Sequence, residues 1–210
     1  MSIVELRQYT LLPGRREALV TLFEREFVTG QEAVGIRVGD RFRDLDAPDR
    51  FVWLRHFPGM ADRAAGLAAF YERGPVWREF GPEANATMLD SDDVLLLRGE
   101  PFTTPSDASS VTGWVCHPAD PDAFAAFFAA HVRPALEAGG TPPLTTLRTE
   151  HAENDYPRLP VRTGEDVFVW FTAHRDADDR DSSLTTVGKL LADADMVRDP
   201  QVLRLSPVRG

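Results

Sequence analysis

The strongest constraint on this chain is that one order of elements occurs twice. Ile3 to Leu12 is rich in branched and aromatic residues and stops at Pro13-Gly14, which predicts a strand closed by a turn. Leu19, Leu22, Phe23 and Phe27 then share one helical face. Gly35 to Leu45 and Arg50 to Phe57 read as two strands around the turn cluster Asp46-Ala47-Pro48-Asp49. A second helix carries Met60, Ala64, Leu67 and Tyr71 on one stripe, and an irregular or short helical stretch runs from Gly74-Pro75 to Met88. Val94 to Leu97 supplies a fourth strand. After a stretch poor in large apolar side chains, the pattern restarts. Val111 to His117 is a strand, and Asp120-Pro121 opens a helix bearing Phe124, Phe127, Phe128 and His131. Strands at Leu144 to His151 and Asp166 to His174 flank a proline-containing insertion, Tyr156 to Pro160. A polar helix near Ser183 to Ala192 leads to a closing strand, Gln201 to Leu205.

Each half therefore reads β-α-β-β-α-β, the ferredoxin-like order. Phe51-Val52-Trp53 recurs as Phe168-Val169-Trp170 in the same slot, which supports a repeat. The expected organisation is residues 1–98, a linker over 99–110, and a diverged second copy over 111–210. Two helices cover only one face of a four-stranded sheet, so the other face needs a partner. The fold class expected is α+β: two tandem ferredoxin-like halves whose antiparallel sheets pack face to face as a pseudo-dimeric α/β barrel.

Composition narrows the setting. At 43% hydrophobic and 27% charged, the chain can bury a core without staples, and Cys116, its single cysteine, excludes an internal disulfide framework and fits a reducing compartment. A net charge of −10 without a basic tract argues against nucleic-acid and anionic-membrane partners. The amino terminus lacks the apolar region of a signal peptide, and no run reaches the roughly 20 apolar residues of a spanning helix. A cytoplasmic protein is expected, with homo-oligomerisation left open. Lys189 is the only lysine beside 22 arginines, which fits a GC-rich bacterial genome. Any cationic site must then be built almost wholly from guanidinium groups.

The first half resembles the NIPSNAP family, within the wider group of dimeric α/β-barrel proteins. The resemblance rests on Glu5-Leu6-Arg7-Gln8-Tyr9-Thr10 with Pro13-Gly14, on Asp49 to Arg55, and on Met60 through Arg63 to Phe70-Tyr71. Gly74-Pro75-Val76-Trp77 and Asn85-Ala86-Thr87-Met88 to Asp92-Asp93 complete it. Relatives in that wider group include cofactor-free oxygenases, haem-using enzymes, and cyclases or dehydratases of polyketide-like substrates, so the resemblance implies a fold and no single reaction.

Strand parity groups the candidate residues. Glu5, Arg7 and Tyr9 share one face of the first strand, and Phe51, Trp53 and Arg55 share one face of the third. Arg37, Arg41 and Arg43 share a parity on the second. Ferredoxin-like order makes strands one and three neighbours, so Arg7, Tyr9, Trp53 and Arg55 are expected to converge. Tyr71, Trp77, Asn85 and Met88 are placed to line the same pocket. One reading is an aromatic-lined anion site, with Arg7 and Arg55 on a developing oxyanion and Tyr9 or His56 moving a proton. The other is a structural arginine network tying the two sheets together in a non-catalytic interaction or scaffold protein. No HxxxH or CxxC spacing, GxSxG elbow or phosphate-binding glycine loop occurs, so neither metal nor cofactor is called for.

Overall fold

The computed structural model describes residues 2–209. Its strands are β1 (Ser2–Leu11), β2 (Arg37–Asp44), β3 (Arg50–Phe57), β4 (Met88–Asp90), β5 (Val94–Gly99), β6 (Ser110–Pro118), β7 (Pro143–Thr149), β8 (Phe168–His174) and β9 (Met196–Pro207). The helices are α1 (16–32), α2 (60–73), α3 (Pro75–Asn85), α4 (121–138) and α5 (Ala177–Leu191). In the first half β1 pairs antiparallel with both β3 and β5, and β3 pairs with β2. In the second half β6 pairs with β8 and β9, and β8 with β7.

The two sheets do not simply face each other. They join edge to edge: Phe42 to Asp44 pair with Pro207 to Leu205, and Leu97 to Gly99 pair with Thr149 to Leu147. Together with the β1–β3 ladder this closes eight antiparallel strands into one barrel, with β4 appended to β1. An open sheet leaves rows of unpaired backbone groups at its edges, and closure removes them. That is the physical reason the expected α/β barrel closes through its strand edges and not by face-to-face packing alone.

Alternation along the strands separates three apolar clusters. Val4, Leu6, Val52, Leu54, Val111, Val169, Phe171 and Leu205 point inward and form one interior cluster drawn from both halves. The opposite faces pack against helices, with Phe51 and Trp53 under α1 and α2, and Phe168 and Trp170 under α4 and α5. The repeated Phe-Val-Trp therefore has the same orientation in both halves. Phe102, in the segment joining the halves, stacks on the inward Phe171 with centroids 4.9 Å apart.

Several boundaries differ from expectation. The stretch after Gly74-Pro75 is a regular helix, α3, started by Pro75 in its first turn. Helix α5 begins at Ala177, because the Asp176 side chain accepts from the Asp179 backbone N–H and caps it. Strand β9 extends from Met196 to Pro207 because it must serve β6 along its length and β2 at its end. A register shift between Val38 and Arg41 breaks the shared parity of the β2 arginines: Arg37 pairs across from His56, whereas Arg41 and Arg43 turn to Glu24 and Glu17 on α1. Among the described residues no helix is long and apolar enough to cross a membrane.

The β5–β7 joint is tight at Gly99, where an added Cβ would meet the Leu147 side chain and lie 2.7 Å from the Thr146 carbonyl oxygen. Backbone cannot yield there without breaking the ladder. Gly99→Ala is expected to cost about 1–3 kcal/mol, read as a lowered midpoint in thermal unfolding followed by circular dichroism.

Candidate functional site

The outer face of β1 and β3 carries a buried charge cluster centred on Glu5. Antiparallel register sets Glu5 opposite Arg55 and Arg7 opposite Trp53. Glu5 Oε2 accepts from Arg7 Nη1 and from Arg55 Nε, each at 2.6 Å, and Oε1 accepts from Arg63 Nε at 2.7 Å. All four side chains are shielded from solvent, at 0–2% exposure, so one carboxylate holds three guanidinium groups in a dry interior. Burial pushes the Glu5 pKa up, but attraction by Arg55, Arg7 and Arg63 outweighs it and holds the carboxyl well below its usual range. Burial likewise works to lower the Arg7 pKa, and Tyr9, Glu5 and Tyr71 reverse that, so it stays charged.

Around this cluster stands a wall of aromatic rings. Trp53 and Tyr9 meet edge to face at 5.9 Å, and Phe23 packs on Trp53 at 4.7 Å. Arg7 lies 5.3 Å from the Tyr9 ring centre and 5.6 Å from that of Trp53, within cation–π range. Helices α1 and α2 each contain a turn of wider, π-type winding, at Phe23–Phe27 and Ala69–Arg73. Those turns present Phe23, Phe27, Phe70 and Tyr71 to a cavity of about 70 Å³ that Arg7, Tyr9, Trp53, Trp77, Asn85 and Met88 also line.

The structure thus brings together Arg7, Tyr9, Trp53, Tyr71, Trp77 and Asn85 as the sequence predicts. Arg55 sits behind the cavity wall, where its Nη1 donates to Tyr71 Oη at 3.1 Å and to Gln31 Oε1 at 3.3 Å. His56 does not join them. It lies on the opposite face of β3 with Val52 and Leu54, inside the barrel, against Gly39 of β2. Burial and Arg37 lower its pKa to about 4, so it is neutral at pH 7, but it cannot reach the cavity through the sheet. Tyr9 does reach it. Burial, opposed in part by Arg7, raises the Tyr9 pKa, and its oxygen accepts from Arg7 Nε at 2.9 Å, so the phenol keeps its proton and acts as a donor.

Several residues of the site, Arg63, Asp155 and Leu159 among them, are not singled out by the sequence. Arg63 was visible as a charge on the apolar stripe of α2, between Met60 and Leu67. Asp155 and Leu159 carried no signal, because they belong to an aperiodic loop between β7 and β8. Asp155 and Asn154 both accept from Arg63 Nη1, the latter at 3.0 Å, and Leu159 lines the cavity. The arginine network therefore ties sheet to helix, and ties the first half to a loop of the second, instead of linking two facing sheets. Among the described residues, Arg55 Nη2, Arg63 Nη2 and Trp53 Nε1 are buried without a hydrogen-bond partner. Also among the described residues, no three His, Cys, Asp or Glu side chains gather as a metal-binding group.

The second half has no equivalent cavity chemistry at the matching positions. Thr112 lies opposite Thr172 where Glu5 lies opposite Arg55, and Trp114 opposite Trp170 where Arg7 lies opposite Trp53. Those two tryptophans stack in parallel with centroids 5.7 Å apart, filling the space over the sheet. Cys116 holds the slot of Tyr9, and burial pushes its thiol up to about 12. A wider cleft of about 550 Å³ lies beside β5 and β7, but it is open, and its arginines are already paired, Arg98 with Glu150 and Arg148 with Asp122.

No family model matches the chain, and no curated protein matches it. Solved structures do. A candidate monooxygenase from Fusobacterium nucleatum aligns over 99% of this chain and 93% of its own, with a TM-score of 0.66 at 10% identity. An anthrone oxidase-like protein aligns over 99% and 92%, with a TM-score of 0.65 at 11% identity. These likenesses show the barrel fold. NIPSNAP proteins are similar to part of the chain: a NIPSNAP-like domain protein from Burkholderia xenovorans covers 50% of this chain and 90% of its own, at 26% identity and a TM-score of 0.43.

Two outcomes follow from the geometry. Glu5→Gln leaves Arg7 and Arg55 without a carboxylate and Arg63 with Asp155 alone, and is expected to cost about 3–5 kcal/mol at neutral pH. Because the folded-state pKa of Glu5 is depressed, its contribution is complete above its ordinary value of 4.5 and is lost as pH falls below that. Urea unfolding as a function of pH should therefore show a shallower acid limb in Glu5→Gln than in the parent chain. Independently, the His56 imidazole should stay neutral by NMR titration down to about pH 4.

Proposed function

We propose that the chain is a small-molecule-binding protein whose first-half cavity takes a planar aromatic or polyketide-like compound bearing an anionic oxygen. The observation carrying this reading is an excess of buried cation: Arg7, Arg55 and Arg63 meet at the fully buried carboxylate of Glu5, with the partly exposed Asp155 as a second partner of Arg63, beside an aromatic wall. A phenolate, enolate or carboxylate would meet the permanently charged Arg7 there, backed by Arg55, with Trp53 and Tyr71 against its ring. As an enzyme it would belong to the cofactor-independent oxygenase, isomerase or cyclase type. Arg7 would stabilise the developing oxyanion, and Tyr9, protonated and bordering the cavity, would donate the hydrogen bond or proton. The structural neighbours described as a candidate monooxygenase and as anthrone oxidase-like agree with that class of substrate. We read the halves, 1–98 and 111–210 around a 99–110 linker, as tandem ferredoxin-like units, supported by the repeated element order.

A second reading has an observation of its own. At about 70 Å³ the cavity is under half of the roughly 150 Å³ that holds a benzene. On this reading the arginines are a structural network in a non-catalytic interaction protein. Native mass spectrometry of protein purified from its own host separates the two. The first expects a retained small molecule that Arg7→Ala loses and Tyr9→Phe weakens; repeated recovery of empty parent protein would favour the second.

A further inference from the structure

The β7–β8 connection departs from the symmetry between the halves without adding a secondary-structure element. The corresponding β2–β3 turn runs from Leu45 to Asp49, whereas β7 ends at Thr149 and β8 begins at Phe168. Loops beyond about 12–15 residues without secondary structure of their own are typically lids or binding loops. This one leaves its own half and lies over the first-half site. The Tyr156 hydroxyl donates to Glu72 Oε1 at 3.0 Å, and its ring stacks 6.4 Å from Tyr71. Leu159 forms part of the cavity wall. Asp155 accepts from Arg63, the third guanidinium on Glu5.

Resting on the reading of this cavity as an anion site, we infer that the 150–167 loop is its lid and that Asp155 is an internal stand-in for the anionic group of the ligand. Two observations converge on this. The closed cavity is too small for an aromatic ring, and moving the loop that supplies Leu159 to its wall, held by Tyr156 on Glu72 and Tyr71, is what would admit one. Moving that wall withdraws Asp155 from Arg63 and leaves three buried guanidinium groups on one carboxylate. A bound anion restores the balance. A neutral ring does not, so the device selects for a charged oxygen, and a single negative charge is what the vacated position calls for. Asp155 is a positioning and competing group in this scheme: it latches the lid and lowers anion affinity.

Calorimetry with 1-hydroxy-2-naphthoate as the anionic probe and 1-naphthol as the neutral one tests this on the full chain, alongside hydrogen exchange of the loop amides without probe. Asp155→Asn should bind the carboxylate about tenfold more tightly, within the usual range for coupling between a latch and a ligand, tighten 1-naphthol too while keeping the preference for the carboxylate, and speed exchange across 150–167. Leu159→Ala, which keeps Asp155, should ease entry of both probes alike. Equal carboxylate affinity in parent and Asp155→Asn, with binding lost in Arg7→Ala, would overturn the competing role of Asp155 and leave the anion site standing. Weaker carboxylate binding in Asp155→Asn would overturn it too. Failure of parent, Asp155→Asn and Leu159→Ala to bind the carboxylate at all would overturn both the lid assignment and the site it rests on.

Discussion

The two backbone ladders that join β2 to β9 and β5 to β7 are what the rest of the molecule hangs on. A four-stranded antiparallel sheet has a face to bury and two edges to satisfy, and one set of helices deals with neither the second face nor the edges. Joining the halves at both edges does all of it at once. The interior fills with side chains from both halves, and the outer faces are left to the helices. Any site for a ligand must then lie in the layer between sheet and helix, because the barrel interior is occupied by Val, Leu and Phe side chains.

That layer is built alike in the two halves and used differently. In the second half the Trp114–Trp170 stack and the Thr112–Thr172 pair make an uncharged, packed layer. In the first, Glu5 gathers Arg7, Arg55 and Arg63 at the same positions of the sheet and on the adjoining helix. Removing three guanidinium groups from water is costly, and the buried Glu5 with the partly exposed Asp155 compensates only part of the cost. Hydrophobic packing could occupy the same space, as the second half demonstrates. The retained charge is therefore the feature that structure alone does not require.

Much of the fold was legible because burial imposes periodicity. The helix stripes of α1, α2 and α4, the parity of β1 and β3, and the duplicated Phe-Val-Trp all follow from one face being covered. The same parity argument brought Arg7, Tyr9 and Trp53 together correctly and set His56 on the other face, yet His56 was still offered as their proton carrier. Parity should have excluded it. What could not be read were long-range choices that leave no local pattern: which strand edges meet, the register shift that separates Arg37 from Arg41 and Arg43, and the path of the β7–β8 loop. Asp155 and Leu159 sit in a segment where neither helix nor strand spacing applies, so only the three-dimensional course of the chain reveals whom they touch.

Covalent linkage of the two halves has a consequence for how such a site can change. In a symmetric pair of identical subunits, lengthening one connection lengthens it at both sites, and a cover for one pocket is unavoidably a cover for the other. Here the Thr149-to-Phe168 segment reaches across to the first-half cavity, while the short Leu45-to-Asp49 turn stays at the barrel seam, where Asp46 pairs with Arg204. In a single chain one connection can lengthen alone, so a segment from one side of the barrel comes to cover a cavity on the other.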